Sequence, residues 1–383
     1  MKHTILLIAT FLLFSCAEKS EVKFADISEV KSLNIQKEQI KLPLDSTTSL
    51  FNYLNQSIKL DNSFKYLIYS KISNSLIQYN LDEGNIEKYI KFESQGPNSL
   101  KGLEHGSGMH YINPDSIIFF SISFQKLFLA NLDGQVYSEF SLSNDSIAFG
   151  SVDSRSKMEY KEGSVYIQSL PIVMNRDKSE FSDRRLTISE YDLSSRELIQ
   201  HPLSFADIYV NNDFSQRLEV IDFVYSSKME KFIISLPLDP NIYITDLSND
   251  IKSILTPSNL VQSANQMDLK NKEIPTNSIT SYYYWTSDSF GKLFYDMEKD
   301  YIYRIARSAI SHEQFLSGDF YANQEVIVLN DKREVVGSIP HSGTSFIYHF
   351  FNDKSVFWNS NFKTMNMQKN NEDTLYFENH EIY

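Results

Sequence analysis

The chain of 383 residues carries one cysteine, Cys16, and only 12 glycines, 10 prolines and 2 tryptophans. A single thiol excludes an intramolecular disulfide framework and any cysteine-based zinc cluster. Glycine at about 3%, against about 7% in average proteins, speaks against a β-helical solenoid and against glycine-rich propellers of the quinoprotein kind. Basic residues are in deficit: 36 Lys+Arg face 49 Asp+Glu, for a net charge of −13. That excludes the basic stripe a nucleic-acid binder needs. No apolar run approaches the roughly 20 residues that span a bilayer; the longest unbroken one, ILLIATFLLF, covers residues 5–14. What is abundant is aromatic: 27 Phe and 23 Tyr in a chain that is 42% hydrophobic, too apolar to be disordered.

The short apolar run follows Lys2 and ends at Leu13-Phe14-Ser15-Cys16. A positive start, a short apolar segment and a small residue before the break form a secretory signal. Leu at −3, a small residue at −1 and Cys at +1 resemble the lipobox of bacterial lipoproteins. The resemblance implies that Cys16 is diacylglycerated, that the signal is cut before it and that the new amine is acylated. Two or more acyl chains suffice for stable anchoring. The predicted organisation is a signal peptide at 1–15, a lipidated Cys16 with a flexible tether over 16–30, and one domain over 31–383. The membrane is then a partner through lipid alone, with no transmembrane helix. Glu18, close behind Cys16, resembles the surface-export signal of Bacteroidota lipoproteins, so the predicted address is the outer membrane, on its periplasmic or its exposed side.

Beyond the tether, short runs rich in Ile, Val, Tyr and Phe alternate with Asn, Asp, Ser and Gly, which is the pattern of an all-β chain. Two consecutive units are clearest: KYLIYS, LIQYNL and NIEKYIKF over 65–92, then DSIIFFS, KLFLANL and QVYSEFSL over 115–142. In each, Asn-Leu-Asp (Asn80 to Asp82, Asn131 to Asp133) leads into the last turn. Asp133-Gly134 predicts a tight type I′ hairpin. Leu81, Leu132, Leu193 and Leu247 recur at spacings of 51, 61 and 54 residues, and a repeat of 40–60 residues with several strands marks a β-propeller. Middle strands sandwiched between neighbouring blades should be apolar on both faces, as 117–120 (IIFF) and 326–329 (VIVL) are. The predicted blades lie at 64–95, 110–143, 164–203, 221–257, 281–338 and 346–378, which makes six, with seven as the alternative. The segment 32–42 is expected to close the ring by pairing with C-terminal strands, since an open sheet would leave its edges unpaired. Segment 260–272 reads as a short helix or excursion loop.

Taken together, the Leu13–Cys16 box, the turns at 79–82 and 128–134 and Gly96-Pro97-Asn98 resemble a family of Bacteroidota lipoproteins of about 380 residues. That family carries a single six-bladed propeller-like domain of unknown function. The resemblance covers the whole chain and implies fold, length and address; no reaction or catalytic residue comes with it.

The residues themselves offer little chemistry. Gly102 to Gly108 (GLEHGSG) lacks the Lys-Ser/Thr of a phosphate-binding loop, and Gly106-Ser107-Gly108 lacks the spacing of a nucleophile elbow. Cys16 is committed to lipid. His105 and His110, near Glu104, do not have metal-ligand spacing. Asp82-Glu83-Gly84 and Asp133-Gly134 supply too few ligands for a calcium loop. No catalytic residue, cofactor or metal is predicted. Candidate ligand-binding residues are His105 and His110 around the glycine-rich loop, Tyr283 and Trp285 within the aromatic run SYYYWTSDSF (281–290), and His341 in a loop reaching the ring opening. The run 281–285 is read as a strand whose rings alternate between faces. The expected function is a lipid-anchored, non-enzymatic binding or scaffold propeller of the cell envelope, with an envelope protein or glycan as partner and no nucleic acid. The alternative is an envelope hydrolase or lyase acting on glycan or peptide at the channel mouth.

Overall fold

The computed structural model of the chain describes residues 21–23, 30–33, 39–48, 54–96, 99–104, 106–142, 147–150, 152, 158–171, 187–203, 209, 214–248, 250–268, 274, 278–342, 349–351, 356–359 and 373–380. Strands β1 (Glu21–Lys23) and β2 (Gln39–Pro43) precede the first large sheet. Sheet I is the meander β3 (Asn55–Leu60), β4 (Ser63–Ser70), β5 (Ser75–Asn80) and β6 (Asn85–Lys91). Sheet II is β7 (Gly108–Asn113), β8 (Ser116–Ser121), β9 (Lys126–Ala130) and β10 (Val136–Ser141). Sheet III holds β11 (Ile147–Phe149), β12 (Met158–Lys161), β13 (Ser164–Pro171), β14 (Thr187–Asp192) and β15 (Leu198–Pro202). Sheet IV is β16 (Asp222–Ser226), β17 (Lys231–Ser235), β18 (Asn241–Thr245) and β19 (Ile251–Leu255). After β20 (Ser263–Asn265) and helix α1 (Ile279–Trp285) comes sheet V: β21 (Ser289–Asp296), β22 (Tyr301–Arg307), β23 (Asn323–Leu329) and β24 (Val335–Ser342). Helix α2 (His312–Ser317) joins β22 to β23. Sheet VI contains β25 (His349–Phe351), β26 (Val356–Asn359) and β27 (Thr374–His380).

The expected closure is present: β2 pairs antiparallel with β27, Leu42 opposite Leu375, and forms the outer strand of sheet VI. Both ends of the domain thus share one sheet, which removes two free edges. A polar clasp follows the closing strand. Asp45 Oδ1 accepts from Thr47 N at 2.9 Å, Thr47 Oγ1 at 2.8 Å and Thr48 Oγ1 at 2.7 Å, and its Oδ2 accepts from the Tyr89 hydroxyl at 2.7 Å.

The fold is an all-β propeller, and the expectation of six blades, or seven, is corrected to five four-stranded ones. Five sheets have that form; sheet III is five-stranded. Strands β11 and β12 lie end to end along one edge of β13, opposite 169–171 and 164–167. The innermost strands touch in the order β25, β3, β7, β12, β16, β21. Apolar clusters fill the gaps between sheets. Tyr69, Phe92 and Phe119 meet between I and II; Tyr66, Tyr79 and Phe377 meet between VI and I. Middle strands supply most of this, because β4, β8, β17 and β22 are buried along nearly their whole length.

Each meander returns the chain to the end from which it entered. The sheet-to-sheet connectors and the turns between second and third strands therefore share one end of the ring. The turns between first and second, and between third and fourth, strands share the other.

Several sequence expectations change in detail. The predicted units omitted their first strand, since β3 and β7 are polar and lie before the aromatic runs. The Asp133-Gly134 hairpin is not type I′: only Gly134 has positive φ (82°), and Asn131 N donates to Gln135 O at 3.1 Å, so the loop is longer. The Asn-Leu-Asp step has a physical role there, with Asn131 Oδ1 accepting from Asp133 N and Gln135 N, and Asn80 Oδ1 accepting from Asp82 N and Glu83 N. Of segment 260–272, residues 260–268 form a connector whose short β20 pairs with β1, and 269–272 lie outside the described residues. The run 281–285 is helical rather than extended, because it lies in a connector outside any sheet and its β propensity has no ladder to join.

Candidate functional site

A cavity of about 670 Å³ occupies the centre of the ring. Its wall comes from the inner strands β3, β7, β12, β16 and β21 and the turns that follow them, with Phe64 of β4 and Val152 between β11 and β12. These strands differ from the ones behind them. β3 (NQSIKL), β7 (GMHYIN) and β12 (MEYK) keep mostly half-buried side chains. Consecutive residues of each line the cavity, Asn55 to Lys59 on β3 and Gly108 to Tyr111 on β7, because the free edge of each innermost strand faces the channel.

Neighbouring inner strands are tied through their side chains. Gln56 Oε1 on β3 accepts from Tyr111 N on β7 at 2.7 Å. His110 Nδ1 on β7 lies 3.2 Å from Met158 O on β12, and its ring is 6.4 Å from that of Tyr160. Lys161 Nζ on β12 sits 5.4 Å above the Tyr225 ring of β16. Lys59 at the end of β3 reaches Glu298 after β21, Nζ to Oε1 3.0 Å, so sheets I and V are joined past sheet VI. Both partners are largely exposed, 40% and 52%, so this pair is worth under about 1 kcal/mol.

Electrostatics set the character of the wall. Burial raises the pKa of Tyr111, assisted by Asp61 and Asp115, and raises that of Tyr225, assisted by Glu162 and Glu230. Tyr295 is pushed up to about 12, chiefly by burial, while its hydroxyl donates to Asp300 at 2.8 Å. All three stay neutral phenols near pH 7. Asp296, 1% exposed, ends β21. Its Oδ1 accepts from Glu298 N at 3.0 Å and Lys299 N at 3.2 Å, and its buried Oδ2 has no partner. Burial raises its pKa above the ordinary carboxylate value. The cavity thus presents neutral phenols, amides and charges of both signs. Among the described residues no group of three or more His, Cys, Asp or Glu is placed to hold a metal ion.

Of the four ligand-binding candidates among the described residues, His110 alone lines this cavity. His105 lies outside the described residues, as do Cys16 and the Pro97-Asn98 part of the Gly-Pro-Asn step. Tyr283 is buried in α1, with its hydroxyl 3.5 Å from Asp268 O. Trp285 packs on Phe320, ring centroids 5.1 Å apart, and beside the Arg307 guanidinium at 5.0 Å. That guanidinium donates to Trp285 O and Tyr284 O, closing C-terminal carbonyls of α1, and to Ser287 O just beyond it. The aromatic run is therefore packing for a connector helix and not a stacking platform on the cavity. His341 is in β24, not in a loop; it is buried opposite Gln324 on the outer strand of sheet V, remote from the inner strands.

Sequence reasoning missed Gln56, Lys59, Tyr111, Lys161, Tyr225 and Asp296. Their signal was weak: Gln56, Lys59, Tyr111 and Lys161 sit in mixed, half-buried segments just before an apolar, aromatic one, and Tyr225 and Asp296 sit inside apolar strands of their own. Hydrophobicity draws attention to the second segment, while the channel is lined by the first.

No helix among the described residues is long and apolar enough to cross a membrane. No curated protein sequence matches this chain. A crystal structure of a DUF4221 family member from Bacteroides vulgatus superposes with a TM-score of 0.76, covering 93% of this chain and 99% of its own, at 15% identity. A candidate exported protein from Bacteroides fragilis superposes at 0.52, covering 91% and 95%, at 12% identity. At these identities the likeness shows the fold. The sequence model of the domain of unknown function DUF4221 matches residues 32–332, and the chain belongs to that family.

Proposed function

We propose that this protein is a lipid-anchored propeller of the bacterial cell envelope that binds a ligand in its central cavity without transforming it. The observation that carries the reading is the cavity itself. Its 670 Å³ is within the range of small-ligand sites, and rigid strands from five sheets converge on it. Neutral tyrosines, Asn55, Gln56 and charges of both signs suit a hydroxyl- and amide-rich ligand, such as an envelope glycan fragment or a short peptide. The address rests on the Leu13–Cys16 box, and the likeness to an exported Bacteroides protein is compatible with it.

Two experiments test this. Thermal melting of the purified chain with peptidoglycan fragments and envelope oligosaccharides should reveal a stabilising ligand. Ser57→Trp, which fills the cavity from β3, should abolish that shift while leaving the unliganded melt in place. A ligand whose shift survives Ser57→Trp, or a fragment that the chain cleaves, defeats the binding reading. For the address, acyl-chain labelling and globomycin-sensitive processing should both vanish in Cys16→Ser; unchanged membrane retention of that variant defeats the anchor.

A further inference from the structure

The two ends of the ring are not alike. Backbone pairing holds β1 to β20, with Glu21 opposite Asn265 and Lys23 opposite Ser263. β20 is pinned in turn to the segment entering β21. Ser263 N donates to Asp288 Oδ2 at 3.0 Å, Asn265 N donates to Ser287 Oγ at 3.0 Å, and Asn265 Nδ2 donates to Thr286 O at 2.6 Å. This segment is a sheet-to-sheet connector, so the chain leaves the ring toward its N-terminus at the connector end. From Cys16 to Glu21 is five residues, a reach of at most about 18 Å when fully extended.

The same end carries exposed apolar tips on well-supported turns. Ile72, between β4 and β5, is 68% exposed; Phe124, between β8 and β9, is 51% exposed; Leu316 in α2, between β22 and β23, is 58% exposed. Phe124 lies against Gly102, where any side chain would overlap its ring, and Gly102 has φ +61°. Gly102 is thus a seat for Phe124. α2 is held by a complete capping box at Ser311 and Gln314 and by Gly318 in the left-handed region, so Leu316 is presented on a fixed turn. At the opposite end the turns between first and second strands hold the cavity residues Glu162, Glu230, Met297 and Glu298.

We propose that the connector end of the ring lies against the lipid bilayer, with Ile72, Phe124 and Leu316 entering its interface and the end that carries the cavity residues Glu162, Glu230, Met297 and Glu298 turned away from the membrane. This rests on the reading of Cys16 as the lipid anchor. A tether of this length cannot carry a ring of six sheets around to the other end. Apolar tips beside an acyl chain add area to the same apolar phase. The orientation turns those cavity residues toward whichever compartment the protein faces.

The test uses the full chain in vesicles of three parts phosphatidylethanolamine to one part phosphatidylglycerol, doped with a nitroxide-labelled lipid as quencher. A fluorophore is attached at Ser123→Cys on the connector end or at Asp133→Cys on the opposite end, and the mass of the N-terminal peptide reports acylation separately. The label at 123 should be quenched about threefold more strongly than the label at 133. Joint replacement of Ile72, Phe124 and Leu316 by Ser should lower quenching at 123 about twofold, with acylation unchanged. The two labels in the otherwise native chain decide the matter even if the triple variant misfolds. Equal quenching, or stronger quenching at 133, in an acylated chain overturns the orientation and leaves the anchor standing. An unacylated N-terminus overturns both.

Discussion

Between sheets I and II the rings of Tyr69, Phe92 and Phe119 meet at centroid distances of 5.5 to 6.5 Å, among Leu67, Leu76 and Ile117. Between sheets IV and V the centre is a cation. Arg304 is fully buried, with its guanidinium carbon 3.6 Å from the centroid of the Phe290 ring. Its Nε donates to Ser235 Oγ at 2.9 Å; Nη1 donates to Pro240 O at 3.0 Å and to Thr256 Oγ1; Nη2 donates to Leu236 O at 3.0 Å and Asp239 O at 2.5 Å. Five donors meet five acceptors, which is the full capacity of the group. Burial still lowers its pKa to about 9, offset in part by Asp239. The first interface is non-directional and tolerant of shape. The second is directional, because three carbonyls of the 236–240 turn and two hydroxyls are aimed at one guanidinium.

That contrast can be broken at its strong end first. Arg304→Met keeps volume but strands buried acceptors, and should cost about 3–5 kcal/mol, read as a large fall in the guanidinium midpoint. Arg304→Lys should recover little of it, since an ammonium lacks the planar fork. Next comes Gly134, in the turn of sheet II that abuts sheet I. It has φ +82°, and a Cβ there would overlap Lys91 O. Gly134→Ala should cost about 2 kcal/mol, measured the same way. Phe119→Leu in the aromatic cluster should cost about 1 kcal/mol. A loss matching that of Arg304→Met would dissolve the distinction between the two interfaces.

The smallest effect is confined to acid. Burial pushes the Asp45 carboxyl up, but hydrogen bonds from Thr48, Tyr89 and Thr47 outweigh it and bring its pKa down from 3.8 to about 2. A carboxylate depressed in the folded state stabilises the fold above its unfolded value and loses that contribution as pH falls toward about 2. Asp45→Asn should therefore flatten the acid limb of the melting profile between pH 4 and pH 2 and leave the profile at pH 7 parallel to the parent. An acid limb of unchanged slope would show that the clasp on the closing strand does not contribute.

Much of the architecture was legible because middle strands announce themselves. Runs such as 117–120 and 326–329 are apolar on both faces, and only burial between two sheets explains that. The closing strand could also be anticipated, since 32–42 has strand character with no partner nearby in sequence. The channel wall was not legible. Gln56, Tyr111 and Lys161 are unremarkable polar residues until the ring places them side by side, and they are contributed by three sheets. Tyr283, Trp285 and His341 drew attention by composition, yet they are occupied in packing: aromatic side chains report burial far more often than binding. Arg304 gave no local sign at all, because its five acceptors come from residues 235 to 256 in the preceding sheet.

The sequence by itself determined the repeat, the β periodicity and the acidic, cysteine-poor character, since these follow from side-chain chemistry and nearest-neighbour spacing. It also carries the Leu13–Cys16 box on which the proposed anchor rests. Only the tertiary structure decided which polar residues share the cavity, which aromatics are packing, and at which end of the ring the N-terminal segment leaves. Those are relations between sheets, fixed by the closure of β2 on β27 and the pairing of β1 with β20, and no window of neighbouring residues contains them.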